Sequence, residues 1–321
     1  MSHSPYFRVD KEKSTLSKPT VLVFGATGAQ GGSVAHHLLA RGRFGVRAFT
    51  RKPDSPAAQA LRTAGAEIVQ GDLDDRASIR TALAGAHGVF GVTNFWEHFD
   101  KEAEHGRNLV DAVAGSEVDH FVFSTLEPIE KNTGGKLKSP HFDIKAELED
   151  RARSLGLPLT AVHVPFYYDN FLAFFPPRAV GDGSFVLSFP QGDTPLAAMA
   201  AEDVGKVVAP MFEQPEAWLG KVSEPAGDEL PASEYAAIMG RHLGVPVTFA
   251  HMPREAFAAL GFPGAEDLAD MFEYYRLHIA SRRDAVASGR ALGVQSFDAW
   301  LGKNVAKLRA ALGLEAPAPV G

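Results

Sequence analysis

Val21-Leu22-Val23-Phe24-Gly25-Ala26-Thr27-Gly28-Ala29-Gln30-Gly31-Gly32-Ser33-Val34-Ala35 is the stretch that decides the fold. Four consecutive apolar residues read as a buried parallel strand. They run into the spacing G-x-x-G-x-x-G at Gly25, Gly28 and Gly31, where a helix opens. Glycine permits the tight turn and lets backbone N–H groups approach a pyrophosphate. The helix N-terminus adds positive partial charge at the same place. A glycine pattern by itself is weak. Between a strand and a helix, at the start of a βαβ unit, it marks a dinucleotide site. Gly25, Ala26, Thr27, Gly28, Ala29, Gln30 and Gly31 are therefore the first candidate contacts, against the plainer reading of a tight turn without a ligand.

Outward from this loop, short apolar runs alternate with helical stretches up to about residue 165. The runs cover 21–24, 46–50, 67–70, 88–92, 120–124 and 159–164; the helical stretches cover 33–40, 56–64, 75–83, 102–114 and 142–155. Gly42, Gly65, Gly85, Gly115 and Gly156 follow the five helical stretches, where C-caps favour a residue with positive φ. The alternation predicts an α/β, Rossmann-like, doubly wound parallel sheet. After Pro165 the rhythm breaks. A strand is expected near 184–189, a strand over 197–201 running into a helix over 204–212, and helices over 232–243, 254–260, 265–277 and 297–312. The expected organisation is a leader (1–19), a cofactor-binding domain (20–165, with a contribution from about 197–213), a smaller mixed α/β domain (166–313) and a Pro/Ala tail (314–321). There is no internal repeat.

Composition narrows the chemistry. The 321 residues are 45% apolar and 22% charged, the ordinary globular range, with net charge −7 and no cysteine. Thiolate catalysis, disulfides, Cys-ligated zinc and thiol redox switching are excluded. No metal site is expected. The acidic balance argues against a nucleic-acid partner, and no apolar run reaches the roughly 18 residues of a membrane span. A cytoplasmic location is the expectation, with the oligomeric state, monomer or homodimer, left open.

The ends of later strands supply the rest of the site. NAD-specific folds place Asp or Glu about 20 residues beyond the glycine loop, on the ribose 2′-hydroxyl. Here that place holds Thr50-Arg51-Lys52. Arginine grips phosphate bidentately and lysine adds a point charge, so NADP(H) is favoured, against a solvated basic turn. Asp72 and Leu73 end the third strand beside the expected adenine. Thr93-Asn94-Phe95-Trp96 ends the fourth at the switch point where such sheets bind ligands. His141 and Lys145 are four apart and share a helix face; Lys145 is a candidate for the nicotinamide ribose.

These features together resemble the short-chain dehydrogenase/reductase superfamily, more narrowly its NmrA-like, atypical branch and the HSCARG-type NADPH sensors. The residues that carry the resemblance are the glycine loop, Thr50-Arg51, Gln70-Gly71-Asp72, Val92-Thr93-Asn94-Phe95-Trp96-Glu97 and His141-Phe142-Asp143-Ile144-Lys145. Pro165-Phe166-Tyr167-Tyr168-Asp169-Asn170 and Gly261-Phe262-Pro263-Gly264-Ala265 extend it. The resemblance implies an NADP-binding domain with a smaller second domain. It also implies cofactor contacts from the glycine loop, Arg51, Asp72, Thr93, Asn94, Phe95, Lys145, Tyr167, Tyr168, Asp169 and Asn170. Two departures stand out. His105-Gly106-Arg107 replaces Gln-Gly-Lys, and Phe95 replaces a tyrosine.

Active dehydrogenases of the superfamily use Tyr-x-x-x-Lys, and here His141 takes the tyrosine position. With an ordinary pKa of about 6.5, histidine is mostly neutral at neutral pH, and a neighbouring Lys145 cation disfavours a second positive charge. His141 and Lys145 are thus candidate catalytic residues, with Tyr167 or Tyr168 as possible stand-ins for the tyrosine. The expected function is an NADP(H)-binding redox-state sensor acting through cofactor-dependent conformation and a protein partner. The alternative is an NADPH-dependent reductase of a small carbonyl, quinone or imine. It draws on an apolar pocket expected from Phe95, Trp96, Phe166, Tyr167, Phe171, Phe174 and Phe175.

Overall fold

A computed structural model describes residues 18–314. The expected leader and Pro/Ala tail lie outside these residues, apart from their innermost positions.

The first half follows the alternation read from the sequence. Strands and helices succeed one another as β1 (Thr20–Val23), α1 (Ala29–Arg41), β2 (Gly45–Thr50), α2 (Pro56–Thr63), β3 (Glu67–Gln70), α3 (Arg76–Leu83), β4 (Gly88–Gly91), α4 (Glu102–Ala114) and β5 (His120–Thr125). A short α5 (Ile129–Asn132), then α6 (Pro140–Ser154) and β6 (Leu159–His163) complete it. The strands form one parallel sheet in the order β6-β5-β4-β1-β2-β3. β1 has its successor β2 on one side and β4 on the other. The loops leaving β1 and β4 therefore diverge to opposite faces and open a crevice between them.

Burial explains why these runs are strands. Along β1, Val21 and Val23 enter the core under α1, whereas Leu22 and Phe24 enter the core under α3 and α4. Alternate side chains point to opposite faces, and both faces are covered, so the run is apolar without interruption. Gly42, Gly65, Gly85 and Gly156 have the positive φ expected after helices. Gly115 does not: its φ is −91 and the chain leaves α4 through an ordinary turn.

The second half interleaves with the first. It comprises β7 (Phe166–Tyr167), α7 (Asn170–Ala173), β8 (Arg178–Ala179), β9 (Phe185–Phe189), β10 (Leu196–Met199), α8 (Val204–Glu213), α9 (Pro215–Trp218), β11 (Val222–Ser223) and β12 (Asp228–Leu230). Then follow α10 (Ala232–Leu243), β13 (Val247–His251), α11 (Arg254–Ala258), α12 (Ala265–Leu277), α13 (Arg283–Ala291) and α14 (Phe297–Ala311). α8 packs on the sheet beside α1, close enough that a Cβ on Gly205 would lie 2.3 Å from the Ser33 carbonyl. The strand before it does not join that sheet. β10 pairs with β7 and β12 in a separate three-stranded sheet, so within 197–213 it is α8 that packs against the main sheet. β11 extends the main sheet alongside β6. β11 is only two residues long and α13 buries only Gly289, so neither offers an apolar run that stands out in the sequence. The remaining elements enclose a core of aromatic residues, among them Phe171, Phe189, Tyr235, Phe272 and Trp300. No helix of the described residues is long and apolar enough to cross a membrane.

Candidate functional site

A cavity of about 1120 Å³ lies along the carboxyl edge of the sheet and continues under the second half of the chain. One end is made by the loop from β1 to α1. Gly25 sits at φ 62 and starts the turn. A Cβ on Gly31 would lie 2.4 Å from the Gly25 carbonyl oxygen, so only glycine lets α1 start this close to the strand. Gly28 caps α1 without a side-chain hydrogen bond, and no acidic residue stands in the first turn. The Gln30 Oε1 is buried without a partner and its residue lines the cavity. Backbone approach and an open helix terminus fit a phosphate-bearing ligand, and the orphaned Gln30 oxygen, an acceptor, fits a donor such as a hydroxyl.

Arg51 and Lys52 line the same end. The Arg51 guanidinium donates to Glu97 at 2.5 Å and lies 3.1 Å from His98 Nε2. That hydrogen bond holds the Glu97 carboxyl below its usual range. The pair is 42% and 48% exposed, so it is worth only about 0.2–1 kcal/mol. A bidentate phosphate contact, with about 1.5–3 kcal/mol from each charged hydrogen bond, would outweigh it. Asp72 and Leu73 complete this end.

Midway, three buried residues meet. Thr93 donates to Glu102 Oε1 at 2.6 Å and accepts from Lys145 at 3.0 Å, and Lys145 also pairs with Glu102 directly. Burial pushes the Lys145 ammonium down, against the pull of Glu102. Glu102 is fully buried, and its Oε2 has no partner. Asn94 and Phe95 lie next to this cluster on the same loop.

At the far end His141 lines the cavity, with its ring 5.8 Å from that of Phe95 and 5.1 Å from that of Trp96. Its Nδ1 is hydrogen-bonded to Asp267, in the first turn of α12. The other oxygen of Asp267 accepts the His141 backbone N–H at 3.0 Å, and Ser139 Oγ donates to Asp267 at 2.7 Å. This corrects the electrostatic expectation for His141. Lys145 faces Glu102, and the charge in contact with the imidazole is the Asp267 carboxylate. Phe166, Tyr167, Phe174 and Phe175 meet Phe262, Leu268, Met271 and Tyr275 here in an apolar chamber.

Most of the expected contacts thus lie on one cavity: Gly25, Thr27, Gly28, Ala29, Gln30, Gly31, Arg51, Lys52, Asp72, Leu73, Thr93, Asn94, Phe95, His141, Lys145, Tyr167, Asp169 and Asn170. Three do not. Ala26 points into the core beneath the loop. Tyr168 is fully buried against Tyr235, Phe297 and Trp300, because successive residues of an extended segment face opposite ways. Phe171, expected in the apolar pocket, packs into the same aromatic core. Of the replaced Gln-Gly-Lys motif, His105 lines the cavity and bonds to Asp74 at 2.9 Å, whereas Arg107 is exposed and off the lining.

The sequence reading missed Glu102, Ser139 and Asp267. Glu102 left a signal: with His105, Leu109 and Val113 it falls on the buried stripe of α4, where an unpaired carboxylate does not belong. Asp267 left none, being 126 residues from its partner. Two groups of acids with a histidine, Asp72/Asp74/His105 and Glu127/His163/Glu224, are close enough to hold a cation. Lys101 on Asp74 and Arg282 on Glu127 already supply positive charge there.

Comparison with known proteins agrees with this geometry. Residues 17–308 match the model of the NmrA-like family. The NmrA-like family domain-containing oxidoreductase FrzB of Cladobotryum sp. is 33% identical over 285 residues, covering 79% of this chain and 83% of FrzB. The crystal structure of NmrA, a negative transcriptional regulator, superposes with TM-score 0.79 at 25% identity, covering 93% of this chain and 99% of NmrA. NmrA has been solved in complex with NAD and with NADP. The NADPH-dependent quinone oxidoreductase QOR2 of Escherichia coli, solved with NADPH, shares the fold at TM-score 0.73 and 22% identity, covering 89% of this chain and 99% of QOR2. The chain belongs to the NmrA-like family.

Proposed function

We propose that this protein binds NADP(H) and uses it to reduce a small acceptor. The observation that carries the reading is the size and shape of the cavity. At about 1120 Å³ it exceeds the roughly 300–1,000 Å³ of ordinary small-molecule pockets. Beyond the stretch that a dinucleotide would follow, from the glycine loop past Arg51 and Thr93 to Lys145, it opens into the aromatic chamber. In this reading the α1 N-terminus and glycine loop hold the pyrophosphate, and Arg51 and Lys52 hold the 2′-phosphate. Asp72 and Leu73 flank the adenine, and Lys145 reaches the nicotinamide ribose while Glu102 fixes its position. A bound nicotinamide would supply hydride to whatever occupies the chamber. The test is a titration with NADPH, NADP⁺ and NADH, followed by turnover with a panel of quinones, carbonyls and imines. NADPH binding with acceptor-dependent oxidation is the expected result. Background oxidation across the panel would sink the reading.

The sensor reading draws on a different observation: both halves of the chain line one cavity. A cofactor shifts conformation only by binding two states differently. Limited proteolysis that distinguishes NADPH from NADP⁺ would support this reading, and identical cleavage would remove it. The two readings are compatible in one molecule.

A further inference from the structure

The residue four before Lys145 is built into a side-chain arrangement that the cofactor does not need. The His141 ring stands between Trp96 and Phe142, mostly buried, on the wall of the cavity. Asp267 holds Nδ1 and the backbone N–H of the same residue. A carboxylate only accepts hydrogen bonds, so Nδ1 carries a proton. Nε2 has no hydrogen-bond partner among the described residues. Ser139 fixes the Asp267 oxygen that faces Nδ1, which leaves neither group free to rotate.

We propose that His141, positioned by Asp267, is the proton donor to an uncharged planar acceptor bound in the aromatic chamber. The proposal rests on the reductase reading. The acceptor is a conjugated C=O or C=N group. Its walls are aromatic rings such as Phe95, Trp96, Phe166 and Phe175, which stack on flat ligands. Lys145 is already matched by Glu102, so an acceptor carboxylate would find no free cation beside it. In the step, hydride from the reduced nicotinamide adds to the acceptor carbon. The π pair moves to the heteroatom, the Nε2–H bond of the imidazolium breaks and the heteroatom–H bond forms. His141 ends neutral and takes its next proton from solvent. Asp267 stays ionised throughout and balances the imidazolium. Asp267 from α12 is the charged group in contact with the ring; Asp143 and Lys145 lie on its own helix, α6, and Glu102, the partner of Lys145, lies on α4.

Asp267 also ties α12 to the start of α6, so a purely structural role must be separated. In Asp267→Asn the amide oxygen stays on the His141 N–H, because that group can only donate. The amide NH₂ then faces Nδ1 and drives the proton to Nε2. Nitrogen-15 NMR of the full-length protein reads this directly: Nδ1 protonated in the wild type, Nε2 protonated in the variant. With NADPH and an uncharged naphthoquinone, His141→Ala and His141→Gln should each lower kcat by about 10²–10⁴-fold. Their NADPH Kd, read from the fluorescence of the bound cofactor, should stay unchanged. Asp267→Asn should lower kcat as well, again with the NADPH Kd unchanged. Wild-type turnover with either His141 variant equally fast overturns the proton donor while leaving the reductase standing. No wild-type turnover overturns both. An unchanged tautomer and kcat in Asp267→Asn reduces Asp267 to a structural tie and overturns its positioning role.

Discussion

The two ends of the cavity are built on different principles. The glycine-loop end is made of consecutive residues and mostly of backbone, and its charged side chains, Arg51 and Lys52, are exposed. The rest of the cavity is made of side chains from distant parts of the chain, and its ionisable groups are buried in pairs: Lys145 with Glu102 midway and His141 with Asp267 at the chamber. Exposed charges are cheap to hold and cheap to lose. Buried ones are held only as long as both partners stay. Binding and stability should therefore separate at the first end and stay coupled at the second.

Glu102→Ala is the strongest way to test that contrast. It strands the Lys145 ammonium in a buried place, and breaking such a pair costs about 3–5 kcal/mol. Urea unfolding should show the loss; a stability change below about 1 kcal/mol would mean that the pair is solvated. Gly31→Ala comes next, because its Cβ meets backbone that cannot retreat; overpacking of this kind costs about 1–3 kcal/mol. NADPH binding should weaken with it. This is the one place where the glycine-loop end should behave like the chamber end. Arg51→Ala should cost about 1.5–3 kcal/mol of NADPH affinity, tenfold or more in Kd, with NADH affinity and Tm unchanged. Equal loss for both nucleotides would remove the 2′-phosphate assignment. Glu97→Gln should have the smallest effect, tightening NADPH by about fivefold or less as Arg51 is released from an exposed pair.

A pH experiment probes the support beneath the chamber. Burial alone would push the Glu149 carboxyl up, but hydrogen bonds from His163, Thr125 and Arg153 outweigh it and hold the group down to about 2. A depressed carboxylate stabilises the fold above its ordinary 4.5, and that contribution is lost as pH falls toward about 2. Glu149 reaches the carboxyl ends of β5 and β6, so the chamber floor should loosen in this window. Glu149→Gln should flatten the acid limb of the Tm profile between those values. An unchanged limb would show that these hydrogen bonds do not set acid stability.

How far the sequence carried the reading follows the same division. The six strands, the glycine loop and Arg51-Lys52 were legible because each depends on neighbours in the chain: short, nearly unbroken apolar runs, φ at glycine, and charge at a strand end. α13 and β11 were not, since a short or marginal element is fixed by what it packs on. Tyr168 shows the limit within a motif. The resemblance placed Tyr167 and Tyr168 together at the cofactor, and the extended backbone turned one to the cavity and the other into the aromatic core.

The sequence by itself determined where a dinucleotide would lie, because a strand, a glycine turn and a helix N-terminus make that site from a dozen adjacent residues. It determined as well that no redox response of this chain can run through a thiol, since the chain has no cysteine. Only the tertiary structure decided what the far end of the cavity can do. Lys145 and Glu102 are 43 residues apart, and His141 and Asp267 are 126 apart. Neither pairing follows from local propensity. Each exists because folding removes water from those groups, and a charge without water must find its opposite.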